Sequence, residues 1–159
     1  MKMRIGLGYD VHQLEVKKDF WLGGIKLKAE KGAVGHSDAD VLIHAICDAL
    51  LGAANLRDIG FHFSNTDDRW RGKESSFFLA EVVKMLSENG WRIGNIDCTI
   101  CLERPKINPH IPEMCKLLAG VMNIDSNDIS IKATTNESIG FVGREEGVAA
   151  YAIALIAAI

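Results

Sequence analysis

Asp10, His12 and His44 are residues of the types that bind a catalytic metal ion. The composition of segment 4–11 predicts a β-strand that continues into a loop. Asp10 and His12 lie two positions apart at this junction. Because side chains alternate along a strand, both should point to the same face. His44 lies in a strongly helical segment and would bring a third ligand from a distant part of the chain. Two imidazoles and one carboxylate, with no fourth protein ligand, are typical of a zinc site that stays open for substrate.

Each of these residues alone has a simpler interpretation, in which Asp10 and His12 hydrogen-bond locally and His44 is a half-buried helix residue. The three together, beside a glycine-rich segment and a second acidic cluster, favour the metal site. Asp40 and Asp48 lie one helical turn on either side of His44, so both are its neighbours on the helix surface. We expect one of them, Asp48 in particular, to orient the imidazole.

Three further segments carry groups suited to phosphate, a second cation and a sugar. His36 and Ser37 precede the predicted first helix, where free N–H groups and the helix dipole favour anions. The hydroxyls and amides of 132–137 suit phosphate oxygens, and Glu137 suits a hard cation such as Mg²⁺. The segment 58–67 suits a sugar. Simpler alternatives exist for each: a helix cap, a polar junction between strand and loop, and an ordinary turn, which the residues of 58–67 alone favour.

The apolar pattern places these groups on regular elements. A first helix is predicted from Ser37 or Asp38 towards Ala54, because apolar residues recur there at helical spacing. Further helices are predicted at 75–89 and 113–122, strands at 91–102, 129–134 and 148–159, a hairpin at 19–27, and loops at 55–68, 104–112 and 135–147.

This order of elements predicts an α/β fold of the α+β type: one domain over 1–159, with a mixed β-sheet, about three helices on one face and a small hairpin. The 159 residues, 48% of them hydrophobic, are enough to bury a core. A net charge of −3 argues against nucleic acid as a partner. The most apolar run, 148–159, is far shorter than the roughly 20 residues that span a bilayer, so no membrane partner is expected.

The chain leads directly from its first residues into a strand pattern, so we expect no signal peptide. Its four cysteines are too few to form a disulfide framework in a chain of this size. We therefore expect a reducing compartment: the bacterial cytoplasm, or a plastid-type organelle if a transit peptide has been removed.

Five motifs, in order and spread along the chain, resemble the 2-C-methyl-D-erythritol 2,4-cyclodiphosphate synthase family. They are 8–12 (GYDVH), 35–40 (GHSDAD), 44–52 (HAICDALLG), 58–60 (DIG) and 132–137 (KATTNE). The resemblance implies conversion of 4-diphosphocytidyl-2-C-methyl-D-erythritol 2-phosphate to the cyclodiphosphate with release of CMP, in the non-mevalonate isoprenoid pathway. It also implies a homotrimer with active sites between neighbouring subunits.

The resemblance assigns roles to individual residues. Asp10, His12 and His44 would bind Zn²⁺, and Glu137 would bind a second divalent cation, Mg²⁺ or Mn²⁺. His36 and Thr135 would stabilise the transition state. The positions that would contact substrate are Ser37, Asp58, Ile59, Gly60, Phe63, Ser64, Asn65, Thr66, Asp67, Leu102, Glu103, Arg104, Pro105, Lys106, Ile107, Asn108, Thr134, Asn136, Phe141 and Arg144.

The chemistry of such a reaction agrees with these residue types. Attack of one phosphate on another brings two anions together, so cations are needed more than a general base, since a phosphate is already ionised near neutral pH. Two alternatives remain open from the sequence. One is a zinc-dependent phosphohydrolase that activates water at the same open site, and the other is a non-catalytic trimer that binds isoprenoid diphosphates or senses metal.

Overall fold

A five-stranded mixed sheet and a separate two-stranded hairpin make up the β-structure of the computed structural model, which describes residues 2–35, 37–64, 66–70 and 72–159. The strands are β1 Met3–Val16, β2 Phe20–Leu22, β3 Ile25–Leu27, β4 Lys31–Ala33, β5 Trp91–Cys101, β6 Ile129–Thr134 and β7 Gly147–Ala158.

The order of strands in the large sheet is β4-β1-β7-β5-β6. β7 lies in the middle and pairs antiparallel with both β1 and β5. β5 and β6 pair in parallel, with a helix in the chain between them, as a parallel connection requires. β2 and β3 form the small hairpin. The predicted mixed sheet with a hairpin is therefore confirmed.

Three long helices pack together over this sheet: α1 on β1 and β7, α3 on α1 and β5, and α4 on α3 and β6. The predicted three helices are thus confirmed. The helices are α1 Val41–Ala53, α2 Ile59–His62, α3 Ser75–Glu88, α4 Ile111–Met122 and α5 Gly140–Gly143. No helix in the described parts of the chain is both long and apolar enough to cross a membrane.

Several predicted boundaries were wrong, because caps and short elements leave little periodicity. α1 begins at Val41 rather than at Ser37 or Asp38, since the Asp40 side chain supplies the cap by accepting the Ile43 N–H at 3.1 Å. The predicted loops 55–68 and 135–147 contain the four-residue helices α2 and α5, and the three-residue strand β4 was not predicted. An element of three or four residues shows no repeat from which to infer it.

The Asp40 carboxylate also fixes α1 to the hairpin. It is fully buried and accepts N–H groups from Gly23 at 3.0 Å and Gly24 at 2.7 Å, in the turn between β2 and β3. Burial raises the pKa of Asp40, while these amide donors act in the opposite direction. One carboxylate therefore holds both the hairpin turn and the first turn of the helix that carries His44.

The strand β1 meets α1 through glycines. A Cβ on Gly8 would lie 2.7 Å from the backbone nitrogen of Ala49 and closer still to the carbonyl oxygen of Ala45. A Cβ on Gly6 would be similarly close to the α1 backbone, 2.6 Å from the nitrogen of Ala53. The helix can approach the strand this closely only because both positions lack a side chain.

The opposite face of β1 is apolar and exposed. Ile5, Leu7 and Tyr9 project from it, with Leu7 at 67% exposure, and β7 continues the surface with Tyr151 and Ile153. Leu7 is in register with Ile153, and the rings of Tyr9 and Tyr151 lie with centroids 4.9 Å apart. We refer to these five residues as the outer face. A contiguous exposed apolar surface of this kind is typical of an interaction site.

Candidate metal site and substrate cavity

Three side chains converge where β1 passes beneath α1. Asp10 Oδ2 lies 3.1 Å from His12 Nε2 and 3.0 Å from His44 Nδ1, and the two imidazole nitrogens are 3.2 Å apart. The i, i+2 spacing on β1 places Asp10 and His12 on the inner face, and the close approach of α1 brings His44 to them. The predicted convergence is confirmed.

The triangle of donor atoms matches a tetrahedral zinc site. Zinc bonds of 2.0–2.1 Å place neighbouring ligand atoms about 3.3 Å apart, close to the three distances here. All three residues are half-buried, so one side of the cluster is open to solvent. The residues present therefore fit Zn²⁺ as three protein ligands with an open position.

Hydrogen bonds on the far side of each imidazole set its tautomer. His12 Nδ1 lies 3.1 Å from the carbonyl oxygen of Val34, which can only accept, so Nδ1 carries the proton. His44 Nε2 lies 2.9 Å from Ser75 Oγ. Since that hydroxyl donates its own proton to the Asp38 carboxylate, it accepts from His44. These outer hydrogen bonds favour the arrangement in which each ring, once its inner nitrogen loses a proton, presents that nitrogen to the centre of the triangle, as metal ligation requires.

The residue that orients His44 is therefore Ser75, and the prediction for Asp40 and Asp48 was wrong. Asp48 Oδ1 accepts the Ile59 N–H at 2.8 Å and so holds the start of α2, while Asp40 caps α1. Neither carboxylate has a hydrogen bond to the imidazole among those in the described residues. Sequence reasoning missed Ser75 because it is the first residue of another helix, 31 positions away, with no spacing that links the two.

The electrostatics of the cluster keep Asp10 ionised. Burial would raise the pKa of Asp10, but the hydrogen bonds and charges of His12 and His44 outweigh it and hold the pKa well below its ordinary value. Burial would lower the pKa of His44, but the hydrogen bond with Asp10 outweighs it and raises the pKa. Asp10 is therefore ionised at any physiological pH, and a metal ion at this site would compete with a proton for His44.

A cavity of about 850 Å³ opens beside His12 and His44. Its wall includes aromatic rings that were not predicted: Trp70 and Phe78 pack on Phe63, with centroids 5.3 and 5.0 Å away. Phe63 was one of six predicted substrate contacts that line this cavity. These are Ser37, Ile59, Gly60, Phe63, Thr66 and Asp67.

Thr135 and Glu137 form a second group at the end of β6. The Thr135 hydroxyl donates to Glu137 Oε1 at 3.1 Å, so the two predicted functional residues are in contact. Glu103, Arg104, Pro105 and Lys106 lie beside this region after β5, where they line a separate cavity of about 460 Å³. None of the described residues in 102–108 or 134–137 lines the cavity of His12 and His44.

A family model described as the YgbB family matches residues 3–157. The chain belongs to the YgbB family. A relative from Cytophaga hutchinsonii, named 2-C-methyl-D-erythritol 2,4-cyclodiphosphate synthase, is 64% identical over 156 residues, which is 98% of each chain. A synthase of the same name from Parabacteroides distasonis is 59% identical over 156 residues.

The chain is also similar to a solved structure of IspF from Plasmodium falciparum in complex with CDP. That structure has a TM-score of 0.87 and 32% identity, over 98% of this chain and 96% of the other. The likeness extends over both groups of residues described above, so the YgbB fold positions all of them.

The other predicted site residues lie around these two groups of the YgbB chain. Asp58 caps α2 by accepting the Phe61 N–H at 2.9 Å, and the hydroxyls of Ser64 and Thr66 are 2.8 Å apart. Leu102 and Ile107 are buried, Asn108 begins a short 3-10 turn, and Thr134 ends β6. Asn136 lies in the loop after β6, Phe141 in α5, and Arg144 pairs with Glu146 at 2.9 Å. His36 and Asn65 lie outside the described residues.

Proposed function

We propose that this chain converts 4-diphosphocytidyl-2-C-methyl-D-erythritol 2-phosphate to 2-C-methyl-D-erythritol 2,4-cyclodiphosphate. An oxygen of the 2-phosphate forms a bond to the β-phosphorus, the bond from that phosphorus to the oxygen bridging it to the α-phosphate breaks, and CMP leaves without consumption of water. The observation that carries the proposal is the triangle of Asp10, His12 and His44 in a family whose relatives over the full chain are named for this reaction.

The ligands of this chain suit two cations. Asp10, His12 and His44 would hold Zn²⁺, and Glu137 would hold Mg²⁺ or Mn²⁺. When bound, these ions supply positive charge that offsets the repulsion between attacking and accepting phosphates. The chain itself orients these ligands by hydrogen bonds, from His12 to the Val34 carbonyl oxygen and from His44 to the Ser75 hydroxyl.

No side chain need act as general base, because the attacking phosphate is already ionised near neutral pH. Holding both reacting groups of one substrate molecule in a single cavity supplies much of the remaining rate increase. The aromatic wall of Phe63, Trp70 and Phe78 excludes water from one side of the cavity, which disfavours hydrolysis over cyclisation. His36 and Thr135 would stabilise the charge that develops in the transition state.

The active site would be shared between subunits of a homotrimer. Two features support this: the outer face is apolar and exposed, and the groups for the nucleotide and the second cation line no part of the His12–His44 cavity of the same chain. In a cyclic trimer, each outer face would pack on its neighbours, and segments 102–108 and 134–137 of one subunit would complete the cavity of the next.

Product analysis tests the proposed reaction. The protein, loaded with Zn²⁺ and Mg²⁺, is incubated with the diphosphocytidyl substrate in H₂¹⁸O, and the products are identified by ³¹P NMR and mass spectrometry. We expect CMP and a cyclic diphosphate, both without ¹⁸O. Incorporation of ¹⁸O into an acyclic phosphate would instead identify a phosphohydrolase.

A His44→Ala variant separates catalysis from mere binding. We expect loss of zinc and of CMP release with an unchanged oligomeric state, because the imidazole projects into the cavity and not to the outer face. His110→Ala is the matched control and should retain both zinc and activity. Full CMP release by His44→Ala would contradict the proposal, and wild-type protein that binds the substrate without product would favour the non-catalytic alternative.

A further inference from the structure

The Glu103 carboxylate connects segment 102–108, which is proposed to bind the nucleobase, with segment 134–137, which is proposed to bind the second cation. Glu103 follows β5 and belongs to 102–108, the segment proposed for the cytosine ring. Its Oε1 accepts backbone N–H groups from Asn136 at 2.7 Å and from Ser138 at 3.3 Å. These amides flank Glu137, so the side chain of the first segment holds the backbone of the second.

The loop that Glu103 holds has an unfavourable backbone conformation. Glu137 and Ser138 have φ values of 51° and 63°, both in the left-handed region. Non-glycine residues adopt this region at a cost and keep it only where their surroundings require it. Two N–H groups that converge on one carboxylate oxygen are such a requirement, because a bond to a charged acceptor is stronger than a neutral one.

The remaining contacts of the loop do not replace this anchor. Thr135 and Glu137 hydrogen-bond to each other at 3.1 Å, which ties their side chains together but not to the rest of the fold. On the other side, α5 packs against the loop, since a Cβ on Gly143 would lie 2.7 Å from the Ser138 Cα. Leu102 N–H donates to the Thr134 carbonyl at 2.9 Å and continues the pairing of β5 with β6 up to the loop. Within this set of contacts, Glu103 is the charged side chain that reaches the loop from another segment.

We propose that Glu103 is a positioning residue that couples occupancy of the nucleobase segment to the geometry of Thr135 and Glu137. A cytosine ring held by the backbone of 102–108 would restrain Glu103, and Glu103 would then restrain the amides of Asn136 and Ser138. The loop that holds the second cation is thereby ordered when the correct nucleotide is present. This inference rests on the proposed function for the roles of the two segments.

Amide hydrogen exchange of the full-length protein tests the coupling without reference to turnover. In the wild type, the amides of Asn136 and Ser138 should be protected, and cytidine, which carries no phosphate, should protect them further. In Glu103→Ala, the amide hydrogens of Asn136 and Ser138 should exchange about 10- to 100-fold faster than in the wild type, which is the usual effect of losing a hydrogen bond to a charged group. Cytidine should not change their exchange rate in this variant. Glu88→Ala, an exposed carboxylate on α3, is the control and should exchange as the wild type does.

Kinetics and a conservative variant complete the test. Glu103→Ala should lower kcat about 10- to 100-fold, with zinc content and oligomeric state unchanged. Glu103→Gln keeps an oxygen acceptor, so it should stay within about 5-fold of the wild type in kcat and amide exchange. If Glu103→Ala fails to fold, Glu103→Asp replaces it, because its shorter side chain no longer reaches both amides: wild-type protection of the Asn136 and Ser138 amides in that folded variant would overturn the proposal.

The two proposals fail in different ways. Amides in Glu103→Ala that exchange as slowly as in the wild type would overturn the anchor, whatever reaction the protein catalyses. Anchored amides that do not respond to cytidine would overturn the coupling alone. Wild-type protein that forms no cyclic diphosphate would overturn the proposed function, while the exchange result would still report on the anchor.

Discussion

Gly8 of β1 lies directly against the backbone of Ala45 in α1, with no room for a Cβ between strand and helix. If α1 lay farther from β1, His44 on α1 would no longer reach Asp10 on β1. The 3.0 Å contact between His44 Nδ1 and Asp10 Oδ2 thus depends on a missing side chain two residues earlier. The metal triangle is a consequence of backbone packing as much as of its ligands.

Gly8→Ala should separate α1 from β1. We expect the free energy of unfolding to fall by about 1–3 kcal/mol or more, because the added methyl group meets backbone atoms that cannot rotate away. Zinc content per chain should fall with it, since the ligands come from both elements. Urea unfolding and metal analysis of the purified protein measure the two effects.

Gly52→Ala is the matched control for this substitution. Gly52 lies in the same helix, is exposed, and has no atom within 4 Å of an added Cβ. Its replacement should raise the free energy of unfolding by about 0.5–1 kcal/mol and leave zinc content unchanged. Equal effects of the two substitutions would contradict the account of close packing at Gly8.

Ser75→Ala should weaken zinc binding without removing a ligand. The variant leaves His44 Nε2 without its acceptor, so the imidazole loses both its preferred tautomer and its orientation. Loss of such an outer partner typically costs 10- to 100-fold in metal affinity, and we expect a decrease of about that size in a chelator competition assay.

Ser76→Ala provides the comparison for Ser75→Ala on the same turn of α3. The Ser76 hydroxyl bonds only weakly to Glu74, at 3.4 Å, and does not reach the metal cluster. Its replacement should leave zinc affinity within about 2-fold, because an exposed hydrogen bond contributes little. A Ser75→Ala protein with the zinc affinity of Ser76→Ala would show that Ser75 does not position His44.

The convergence of Asp10, His12 and His44 could be predicted from the sequence, because strand alternation and a helical stripe are local patterns that survive in the fold. The contacts of Ser75 with His44 and with Asp38 could not, since they join α3 to α1 and to the loop before α1, across 31 and 37 positions. Similarly, the four-residue helix α2 depends on the caps that Asp48 and Asp58 provide, not on any periodicity of its own.

The orientation of β1 also lies beyond its own sequence. Alternation in β1 gives one row with Ile5, Leu7 and Tyr9 and another with Gly6 and Gly8, and the hydrophobic effect alone would assign the first row to the core. The structure has the opposite arrangement, because α1 needs the glycine row for close approach. The apolar row is left exposed, which a single chain does not explain and the proposed homotrimer would.

The pH dependence of the metal-free protein should have two opposing parts. The pKa of His44 is raised above its ordinary value of 6.5, so its contribution to stability is complete below pH 6.5 and is lost as the pH rises through the raised pKa. The pKa of Asp10 is lowered below 3.8, so its contribution is present above that pH and is lost on further acidification. In chelator-treated protein, the contribution of Asp10 and His44 to the free energy of unfolding should therefore be largest between about pH 4 and 6.5.

Zinc affinity should change with pH in the other direction. Zn²⁺ needs the unprotonated imidazole, so its affinity should fall as the pH drops through the raised pKa of His44. Unfolding curves with chelator and competition titrations with zinc, both at pH 5.5 and 8.0, compare the two effects. Asp10→Asn should abolish the difference in stability between pH 5.5 and 8.0 that this pair causes. If the variant keeps that difference, other groups are responsible for it.

A charge on the outer face should separate the subunits and so remove activity without removing zinc. Leu7→Asp places a carboxylate opposite Ile153 on the exposed apolar surface, and light scattering should show a monomer. CMP release should fall at least about 100-fold, because the groups of one site are no longer held together. Zinc content should persist, since Asp10, His12 and His44 belong to one chain.

Val16→Asp is the control for this substitution. Val16 is exposed on the same strand but outside the outer face, so this variant should remain trimeric and active. A monomeric Leu7→Asp protein with full turnover would mean that each chain contains a complete site.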